Sequence, residues 1–258
     1  FAGGVNKGIK QAMGTDHEFI ALFNNDATAE PDWLEKLLSR IETDEMLGIV
    51  TGKLMRDDKK HFDSTGDFYS TWGIPFPRGR NQQDLSQYDK SEEVFGASGG
   101  ASVYRSKMLE EIGLFDERFF AYYEDVDVSF RARLAGWKIA YEPSAVAYHK
   151  VGATSEKLGP FTRYHSVKNF HLLYWKNMPG KLFFKYLPLF WLQGLRFAIS
   201  STLRGGLPAY LRGLGRAMLY QPQIFFVDRR KIHKKRKVSS GEIDSWLYHG
   251  RPPKIPSI

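Results

Sequence analysis

The segment Glu18-Phe-Ile-Ala-Leu-Phe23 runs directly into Asn24-Asn25-Asp26, and this junction indicates the fold class of the 258-residue chain. An unbroken apolar run of this length is typical of a β-strand that is buried on both faces, as in α/β proteins. Ligands of open α/β sheets bind at the carboxyl ends of the strands. The polar cluster that follows Phe23 is therefore a candidate functional site.

Helix-like and strand-like patterns alternate on both sides of this junction. Apolar spacing and the positions of Gly, Pro and capping residues predict helices over 5–13, 31–43, 107–112 and 125–134, and strands over 18–23, 47–51, 94–104, 137–141 and 145–148. Residues 56–92 are polar and contain Gly and Pro throughout, which predicts irregular excursions and a mobile loop. The alternation predicts an α/β fold with a mixed, mainly parallel sheet and helices on both faces.

The composition is that of a globular protein, because 42% hydrophobic and 15% aromatic residues are enough to form a packed core. The absence of cysteine excludes structural disulfides and Cys-ligated zinc, and it fits a reducing, cytoplasmic compartment. The chain starts at Phe1 without a signal-peptide pattern, and its first residues resemble a loop inside a domain. We therefore expect the chain to begin inside a longer protein.

Charge divides the sequence into two unequal parts. Residues 1–150 carry 18 Lys and Arg against 25 Asp and Glu, a net charge of −7, whereas residues 151–258 carry 19 against 4, a net charge of +15. The first part suits acidic chemistry and the second suits contact with an anionic partner. We predict a catalytic α/β domain over 1–155 and a basic helical extension over 156–258.

Two features of the basic part bear on its partner. Residues 182–200 are strongly apolar but contain charged residues and a proline, so a helix in the plane of a membrane surface fits better than a spanning one. Residues 229–237 form a dense cationic run that fits an anionic membrane, nucleic acid or a solvated tail. Nucleic acid ranks below the membrane, because Phe225 and Phe226 near the run do not form a stacking surface.

Asn24-Asn25-Asp26 is the first of four groups in the acidic part that can carry chemistry. A carboxylate at the end of a strand can hold a hard divalent cation, which offsets negative charge that develops on a diphosphate leaving group. The alternative interpretation is a turn that caps the following helix.

The second group is Tyr122-Tyr-Glu-Asp-Val-Asp-Val-Ser-Phe-Arg131, which places three carboxylates at the start of a predicted helix. Glu124 and Asp125 precede the first turn, where they can face a cleft and take the proton of an attacking hydroxyl beside tyrosines that can stack on a sugar ring. The alternative is compensation of the helix dipole by negative charge. Asp127 and Arg131 are spaced i, i+4, and we expect them to pair.

His149 and a glycine-rich stretch complete the set. A neutral imidazole at the end of the strand over 145–148 is a good ligand for Mn²⁺ and an acceptable one for Mg²⁺, although a histidine satisfied by backbone is the alternative. Phe95-Gly-Ala-Ser-Gly-Gly-Ala-Ser-Val-Tyr104 has small residues that let the backbone approach a ligand, or that form a bulged strand.

In their order and spacing, these groups closely resemble glycosyltransferase family 2. The resemblance covers residues 1 to about 155 and rests on Asn24-Asn25-Asp26, the stretch 95–104, Gly113-Leu-Phe-Asp116, Glu124-Asp-Val-Asp127, Gly136-Trp137 and His149. Within the family, the chain is similar to the rhamnosyltransferase and galactofuranosyltransferase branch that builds bacterial surface polysaccharides.

The resemblance implies a GT-A (Rossmann-like) fold and inversion at the anomeric carbon. It implies that Asp26 and His149 bind a divalent cation, Mg²⁺ or Mn²⁺, with Asn24 in place of the first Asp of the usual Asp-x-Asp motif. Asp125 would be the general base, with Glu124 close to the acceptor.

The remaining implied contacts are with the substrates. Asn6 and Gly8 would border the nucleotide, and Ser98, Gly99 and Gly100 would shape the acceptor site. The family opens with a strand–helix–strand unit that holds the nucleoside, and this sequence lacks it. We therefore expect an N-terminally truncated sheet with an exposed edge, and the missing unit leaves open whether the chain is active alone.

These features predict an inverting glycosyltransferase that moves a sugar from a nucleotide-diphospho-sugar, with dTDP-rhamnose as one candidate. The acceptor would be a hydroxyl of a glycan or lipid-linked molecule in cell-surface polysaccharide synthesis, at the inner face of the cell membrane. The alternative is a catalytically inactive fragment that binds a membrane or nucleic acid through its basic half.

Overall fold

A seven-stranded sheet forms the centre of the N-terminal part, in a computed structural model that describes residues 1–15, 17–150 and 159–253. The strands of this part are β1 (Phe19–Phe23), β2 (Ala27–Ala29), β3 (Leu47–Arg56), β4 (Phe62–Ser64), β5 (Asp67–Tyr69), β6 (Pro75–Pro77), β7 (Glu92–Glu93), β8 (Ala101–Arg105) and β9 (Lys138–His149). The main order is β1-β8-β3-β9-β2, with β4 beside β3 and β7 beside β9, while β5 and β6 form a separate hairpin. β1 lies at the edge of the sheet.

The sheet is mixed, as predicted, but adjacent strands are antiparallel more often than expected. Among the described pairings, only β3 and β9 are parallel. β8 is antiparallel to both β1 and β3, so β1, β3 and β9 nevertheless run in one direction. β8 begins at Ala101, beside the end of β1 at Phe23, and runs back along both β1 and β3.

Helices cover both faces of the sheet, which confirms the predicted α/β class. They are α1 (Ala2–Met13), α2 (Trp33–Ile41), α3 (Ser106–Ile112) and α4 (Glu124–Leu134). Successive residues of a strand point to opposite faces. Accordingly, Ile49 and Tyr104 pack in one cluster with residues of α1, α3 and α4, whereas Val50 and Val103 pack in another cluster with residues of α2.

Two stretches differ from their predicted secondary structure. The strand predicted over 94–104 is extended only from Ala101, and the strands predicted over 137–141 and 145–148 are parts of β9, whose register with β3 shifts after Gly52. Residues 56–92 were expected to be irregular, but they carry β4 to β6 and bury Phe62 and Tyr69 completely. Aromatic side chains spaced among polar residues supply that core, which a strand or helix period does not reveal.

The C-terminal part is helical, as predicted, with α5 (Gly159–Asn177), α6 (Gly180–Leu203), α7 (Leu207–Gln223), a π-helical turn (Ile224–Asp228), α8 (Arg229–Lys234) and α9 (Ser240–Trp246). α5 is buried almost throughout. Phe170 and Tyr174 of α5 stack on Phe190 of α6, with ring centroids 4.4 and 4.2 Å apart, in a cluster that also includes Phe130 of α4. The predicted boundary at 155/156 lies outside the described residues and stays a prediction.

The cationic run over 229–237 is partly folded against the rest of the chain. Arg229 donates to the carbonyl of Trp175 at 2.9 Å, and Lys235 and Lys237 reach the carbonyl and carboxylate of Glu111 at 2.6 and 2.7 Å. These contacts argue against a freely solvated tail. Within 1–15, 17–150 and 159–253, no helix combines the length and apolarity needed to cross a bilayer.

Candidate functional site

The predicted site residues other than Asn6 and Gly8 lie around the edge where β1, β3 and β9 end and β8 begins. The backbone N–H of Asn24 donates to the carbonyl of Gly100 at 2.8 Å, which joins the end of β1 to the start of β8. Gly99 in turn donates its N–H to Oδ2 of Asp125 at 2.9 Å. The structure thus connects the cluster after β1 to the entrance of α4, about one hundred residues later in the sequence.

Asp26 and His149 form a direct pair at this edge. β2 pairs with the end of β9, which sets Ala27 opposite His149 and brings Oδ1 of Asp26 to 3.2 Å from Nε2 of the imidazole. The other ring nitrogen, Nδ1, lies 2.9 Å from Oδ2 of Asp63 on β4. The hydrogen bond to Asp63, together with the two negative charges, raises the pKa of His149.

Asp26 and His149 provide ligand atoms that suit a hard or borderline divalent cation. A carboxylate oxygen and an imidazole nitrogen suit Mn²⁺ and Mg²⁺, and two neighbouring ligands of an octahedral ion at about 2.1 Å are about 3 Å apart. With Nδ1 donating to Asp63, the lone pair of Nε2 is directed toward Asp26, which is a common arrangement of metal-binding histidines. The described residues hold no cluster of three or more such ligands, so a diphosphate would have to complete the shell. The residues present therefore fit the implied metal.

Small residues shape the start of β8 beside this pair. A Cβ atom on Gly100 would come within 3.0 Å of Nδ2 of Asn24, so only glycine leaves that amide its position. Ser98 accepts a hydrogen bond from the N–H of Gly100 through its hydroxyl at 3.3 Å, and its carbonyl accepts from Ser102 at 2.6 Å. The turn over 98–100 is therefore fixed internally while its glycines stay close to Asn24 and Asp125.

Asp125 is half-buried at the first turn of α4, where its two oxygens accept the N–H groups of Gly99 and Val126 at 2.9 and 2.8 Å. Burial raises the pKa of Asp125, and the two backbone donors limit the rise. Burial, followed by the charge of Asp125, raises the pKa of the neighbouring Glu124 to about 8. Glu124 is 7% exposed, and its Oε2 is buried without a hydrogen-bond partner among the described residues.

Asp127, the third carboxylate of this stretch, has a structural role. The predicted pair with Arg131 is confirmed at 2.8 Å, and the same carboxylate also accepts from Lys176 at 2.9 Å and Asn177 at 2.8 Å. Asp127 is fully buried. These bonds connect α4 to α5 and occupy both carboxylate oxygens of Asp127, so its role is structural.

The loop that leads into α4 has an unusual backbone. Phe120, Tyr122 and Tyr123 have φ angles of 65°, 70° and 70°, in the left-handed region that costs non-glycine residues about 1 kcal/mol or more each. The side-chain amide of Asn169 on α5 donates to the carbonyls of Phe119, Ala121 and Tyr122 at 3.0, 2.8 and 2.6 Å. A residue of the basic extension thus holds the loop that presents Glu124 and Asp125.

Three residues near the site were not predicted from the sequence: Asp63, Asp67 and Asn169. Asp67 is 6% exposed, and burial followed by the charge of Asp125 raises its pKa to about 8. Asp63 and Asp67 belong to the segment predicted as irregular. Two aspartates four residues apart there gave no signal, since only the tertiary structure buries them.

Asn6 and Gly8, predicted to border the nucleotide, lie on α1. Asn6 is buried, and its amide donates to the carbonyl of Phe115 at 2.8 Å and accepts the N–H of the same residue at 3.0 Å. The side chain therefore fixes the loop after α3. Gly8 is on the exposed face of α1. The nucleotide contacts of both residues stay predictions.

Comparison with known proteins gives a family match over most of the chain. The family model described as "Glycosyltransferase like family 2" matches residues 1–164. The N-acetylglucosaminyl-diphospho-decaprenol L-rhamnosyltransferases of two Mycobacterium tuberculosis strains, CDC 1551 and H37Rv, are each 30% identical over 150 residues, which is 53% of this chain. The aligned part is 48% of each relative, so the chain spans about half the length of these curated proteins.

Two solved glycosyltransferase structures are also similar. GalNAc-T7 with UDP, GalNAc and Mn²⁺ aligns with 64% of this chain and 34% of its own, at 12% identity and a TM-score of 0.45. The mannosyltransferase PcManGT from Pyrobaculum calidifontis, in complex with GDP-Man and Mn²⁺, aligns with 95% of this chain and 66% of its own, at 14% identity and a TM-score of 0.46.

Proposed function

Because the chain belongs to glycosyltransferase family 2, we propose that it transfers a sugar from a nucleotide-diphospho-sugar to an acceptor hydroxyl, with inversion at the anomeric carbon. The observation that carries the proposal is the meeting of Asp26, His149 and Asp125 at one edge of the sheet. This edge receives the carboxyl ends of β1, β3 and β9, where α/β proteins bind their ligands.

Asp26 and His149 would hold a divalent cation beside the diphosphate of the donor. When bound, Mg²⁺ or Mn²⁺ offsets the negative charge that develops on the diphosphate as it leaves. Asp63 keeps the proton of His149 on Nδ1, so that Nε2 remains a ligand. Asn24 lies two residues before Asp26, and its amide lies close to Gly100.

Asp125 takes the proton of the acceptor hydroxyl. As the oxygen bonds to the anomeric carbon, the bond from that carbon to the diphosphate oxygen breaks on the opposite side, which inverts the configuration. A general base works best when its pKa lies near the operating pH. The burial that raises the pKa of Asp125 moves it in that direction, and the N–H groups of Gly99 and Val126 fix its orientation.

We base the proposed substrates on the names of the mycobacterial relatives. The mycobacterial proteins carry a rhamnosyltransferase name with a decaprenol-linked acceptor, which supports dTDP-rhamnose as a candidate donor and a lipid-linked glycan as a candidate acceptor. A role in cell-surface polysaccharide synthesis, on the cytoplasmic side and peripheral to the inner face of the membrane, agrees with such an acceptor and with the basic extension.

Substitution of the base tests the proposal. Asp125→Asn keeps the size of the side chain but removes its ability to accept a proton, and we expect transfer to fall at least about 100-fold while donor binding is retained. Asp32→Asn is the matched control, because Asp32 is an exposed aspartate that precedes α2. Transfer of radiolabelled sugar, measured beside donor binding by calorimetry, separates the two effects. Equal turnover in Asp125→Asn and wild type would exclude Asp125 as the base.

Substitution of the metal ligand is an independent test. Titration of UDP or dTDP by calorimetry, with and without Mn²⁺, gives the metal-dependent part of the affinity. We expect Asp26→Ala and His149→Ala to remove most of that part and to leave the metal-free affinity unchanged. A metal-dependent gain of wild-type size in both variants would show that the cation binds elsewhere.

A further inference from the structure

The outer side of α6 is a continuous apolar stripe. Five of its large apolar side chains are more than half exposed, at 73%, 53%, 55%, 52% and 81% for Phe184, Trp191, Leu195, Ile199 and Leu203. Their spacing of seven, four, four and four residues places them on one face, which extends about 28 Å at 1.5 Å per residue. The opposite face of α6 is in the protein core through Leu182, Phe190 and Phe197. The exposed stripe is therefore a second apolar face with no cover among the described residues.

α7 and the π-helical turn continue this apolar surface. Leu207, Leu211, Leu219 and Phe226 are exposed and recur at helical spacing, while Tyr210, Ala217 and Ile224 on the other side are buried. α6 and α7 are joined by a short turn, and the hydroxyl of Tyr210 reaches the carbonyl of Gly194 across them. We call the exposed stripes of these two helices, from Phe184 to Phe226, the α6–α7 apolar face. Exposed apolar surface of this extent marks an interaction site in a water-soluble protein.

The charges on the helices that carry this face are positive. Residues 180–227 contain six Lys and Arg and not a single Asp or Glu, although Asp228 follows directly and Asp244 of α9 pairs with Lys185 at 2.7 Å. Lys181 and Arg212 are exposed on the same two helices as the apolar stripes. Neither helix is apolar enough to cross a bilayer. An apolar stripe flanked by cations on such a helix is typical of helices that lie in the interface of an anionic bilayer.

We infer that the α6–α7 apolar face inserts in the plane of an anionic membrane, with its apolar side chains below the phosphate groups and its cations at their level. This membrane contact rests on the proposed function in one respect only: a lipid-linked acceptor would explain why the protein binds a membrane. Binding to lipid is measured without any sugar transfer, so a negative result for membrane binding can be told apart from a negative result for sugar transfer.

A bilayer fits this face better than a second copy of the chain does. Face-to-face dimerisation would bring two surfaces with an excess of positive charge together, and like charges across an interface disfavour association. An anionic bilayer offers the opposite charge and an apolar interior at the same time. Each basic residue near such a surface contributes about 1 kcal/mol to attraction, and this contribution is screened by salt.

The absence of cysteine makes a site-specific test direct. Leu203→Cys and Leu219→Cys place a single thiol on the face for an environment-sensitive fluorophore. Leu85→Cys is the matched control, because Leu85 is 75% exposed in the loop before β7, away from α6 and α7. With phosphatidylglycerol-containing vesicles we expect a blue shift and quenching by lipid-borne nitroxide at 203 and 219 but not at 85. With pure phosphatidylcholine vesicles we expect a much weaker response.

Substitutions give the second measurement. Leu195→Gln and Ile199→Gln, which leave the core face of α6 intact, should each lower vesicle partitioning about fivefold to tenfold, whereas Leu85→Gln should leave it unchanged. Circular dichroism and thermal unfolding check that each variant is folded. Equal responses at 85 and 203 would overturn the inference. So would a fluorophore at 203 that becomes shielded without lipid as the protein concentration rises, because that result assigns the face to self-association.

Discussion

His149 has a carboxylate at each ring nitrogen, with Asp26 at 3.2 Å from Nε2 and Asp63 at 2.9 Å from Nδ1. The two contacts are not equivalent. Asp63 is buried, and its other oxygen lies 3.0 Å from a guanidinium nitrogen of Arg80, so the carboxylate is held from both sides. Asp26 is only partly buried and borders the proposed donor site. Asp63 therefore positions the imidazole. Asp26 is the group that would bind the same metal ion as His149.

Removal of Asp63 tests this division of roles. Loss of a carboxylate behind a metal-binding histidine typically lowers metal affinity 10- to 100-fold, and we expect a loss of about that size for Mn²⁺-dependent dTDP binding by Asp63→Ala. Asp63→Asn keeps a hydrogen-bond acceptor and should recover part of the affinity. The matched control is Asp58→Ala, since Asp58 contacts Nδ1 of His61, which is not a proposed metal ligand, in the same way at 2.7 Å. Calorimetry that finds Asp63→Ala and Asp58→Ala equally harmless would contradict the role.

At the scale of elements, the loop before α4 depends on a helix from the other half of the chain. Asn169 of α5 satisfies three carbonyls of that loop, and Lys168 donates to the carbonyls of Arg118 and Phe119. Burial lowers the pKa of Lys168 to about 8, with a further contribution from the charge of Arg216. The bonds offset the cost of three left-handed residues, so α5 is part of the framework of the site.

Asn169→Ala removes this support, and we expect two consequences. Loss of three hydrogen bonds at roughly 1 kcal/mol each should lower the free energy of unfolding by about 2–3 kcal/mol. Amide hydrogen exchange over 119–126 should accelerate more than exchange in the sheet, and kcat should fall while donor affinity is kept. Asn177→Ala is the control, because Asn177 is equally buried on α5 but bonds to Asp127 instead of the loop. Equal exchange over 119–126 in both variants would argue against a specific support.

The elements that the sequence predicted are those whose cause is local. The strand β1, the amphipathic α2 and the i, i+4 pair of Asp127 and Arg131 each depend on neighbours within a few residues, and all three are present. The expected burial of β1 on both faces was wrong, because β1 is an edge strand in which only Ile20 is buried. The bond between His149 and Asp63 joins residues 86 apart, and the clamp from Asn169 joins residues 47 to 50 apart. Nothing in the composition around Asp63 or Asn169 distinguishes them from surface residues. Only the packing of β4 on β3, and of α5 on α4, gives them a role.

At the scale of the whole molecule, the site edge stores unfavourable electrostatic energy. Burial, followed by the charge of Asp125, raises the pKa values of Asp67 and Glu124 to about 8. Ion pairs elsewhere in the fold have the opposite effect, because they lower the pKa values of carboxyl groups. Lys176 and Arg118, for example, lower the pKa of Asp116 well below its usual value against the effect of burial. Binding of a cation and an acceptor at this edge would relieve the repulsion, so we expect ligands to stabilise the fold most strongly at neutral pH and above.

The stored energy predicts how stability depends on pH. A carboxyl with a pKa of about 8 when folded and about 4 when unfolded binds more protons in the folded state, so its contribution to stability is complete below pH 4 and lost as the pH rises to 8. Lowered carboxyl pKa values, such as that of Asp116, act below this window and do not mask it. Between pH 6.5 and 8 the free energy of unfolding, from urea titrations, should therefore decrease by up to about 1.4 kcal/mol per pH unit for each such group. Below pH 6.5, burial lowers the pKa values of His165, His171 and His233 to about 4, and these groups act in the opposite sense. Asp67→Asn should flatten this slope and be more stable than wild type at pH 8, whereas Asp57→Asn, at an exposed position, should follow wild type. A slope that Asp67→Asn leaves unchanged would show that Asp67 is already ionised in the folded protein at neutral pH.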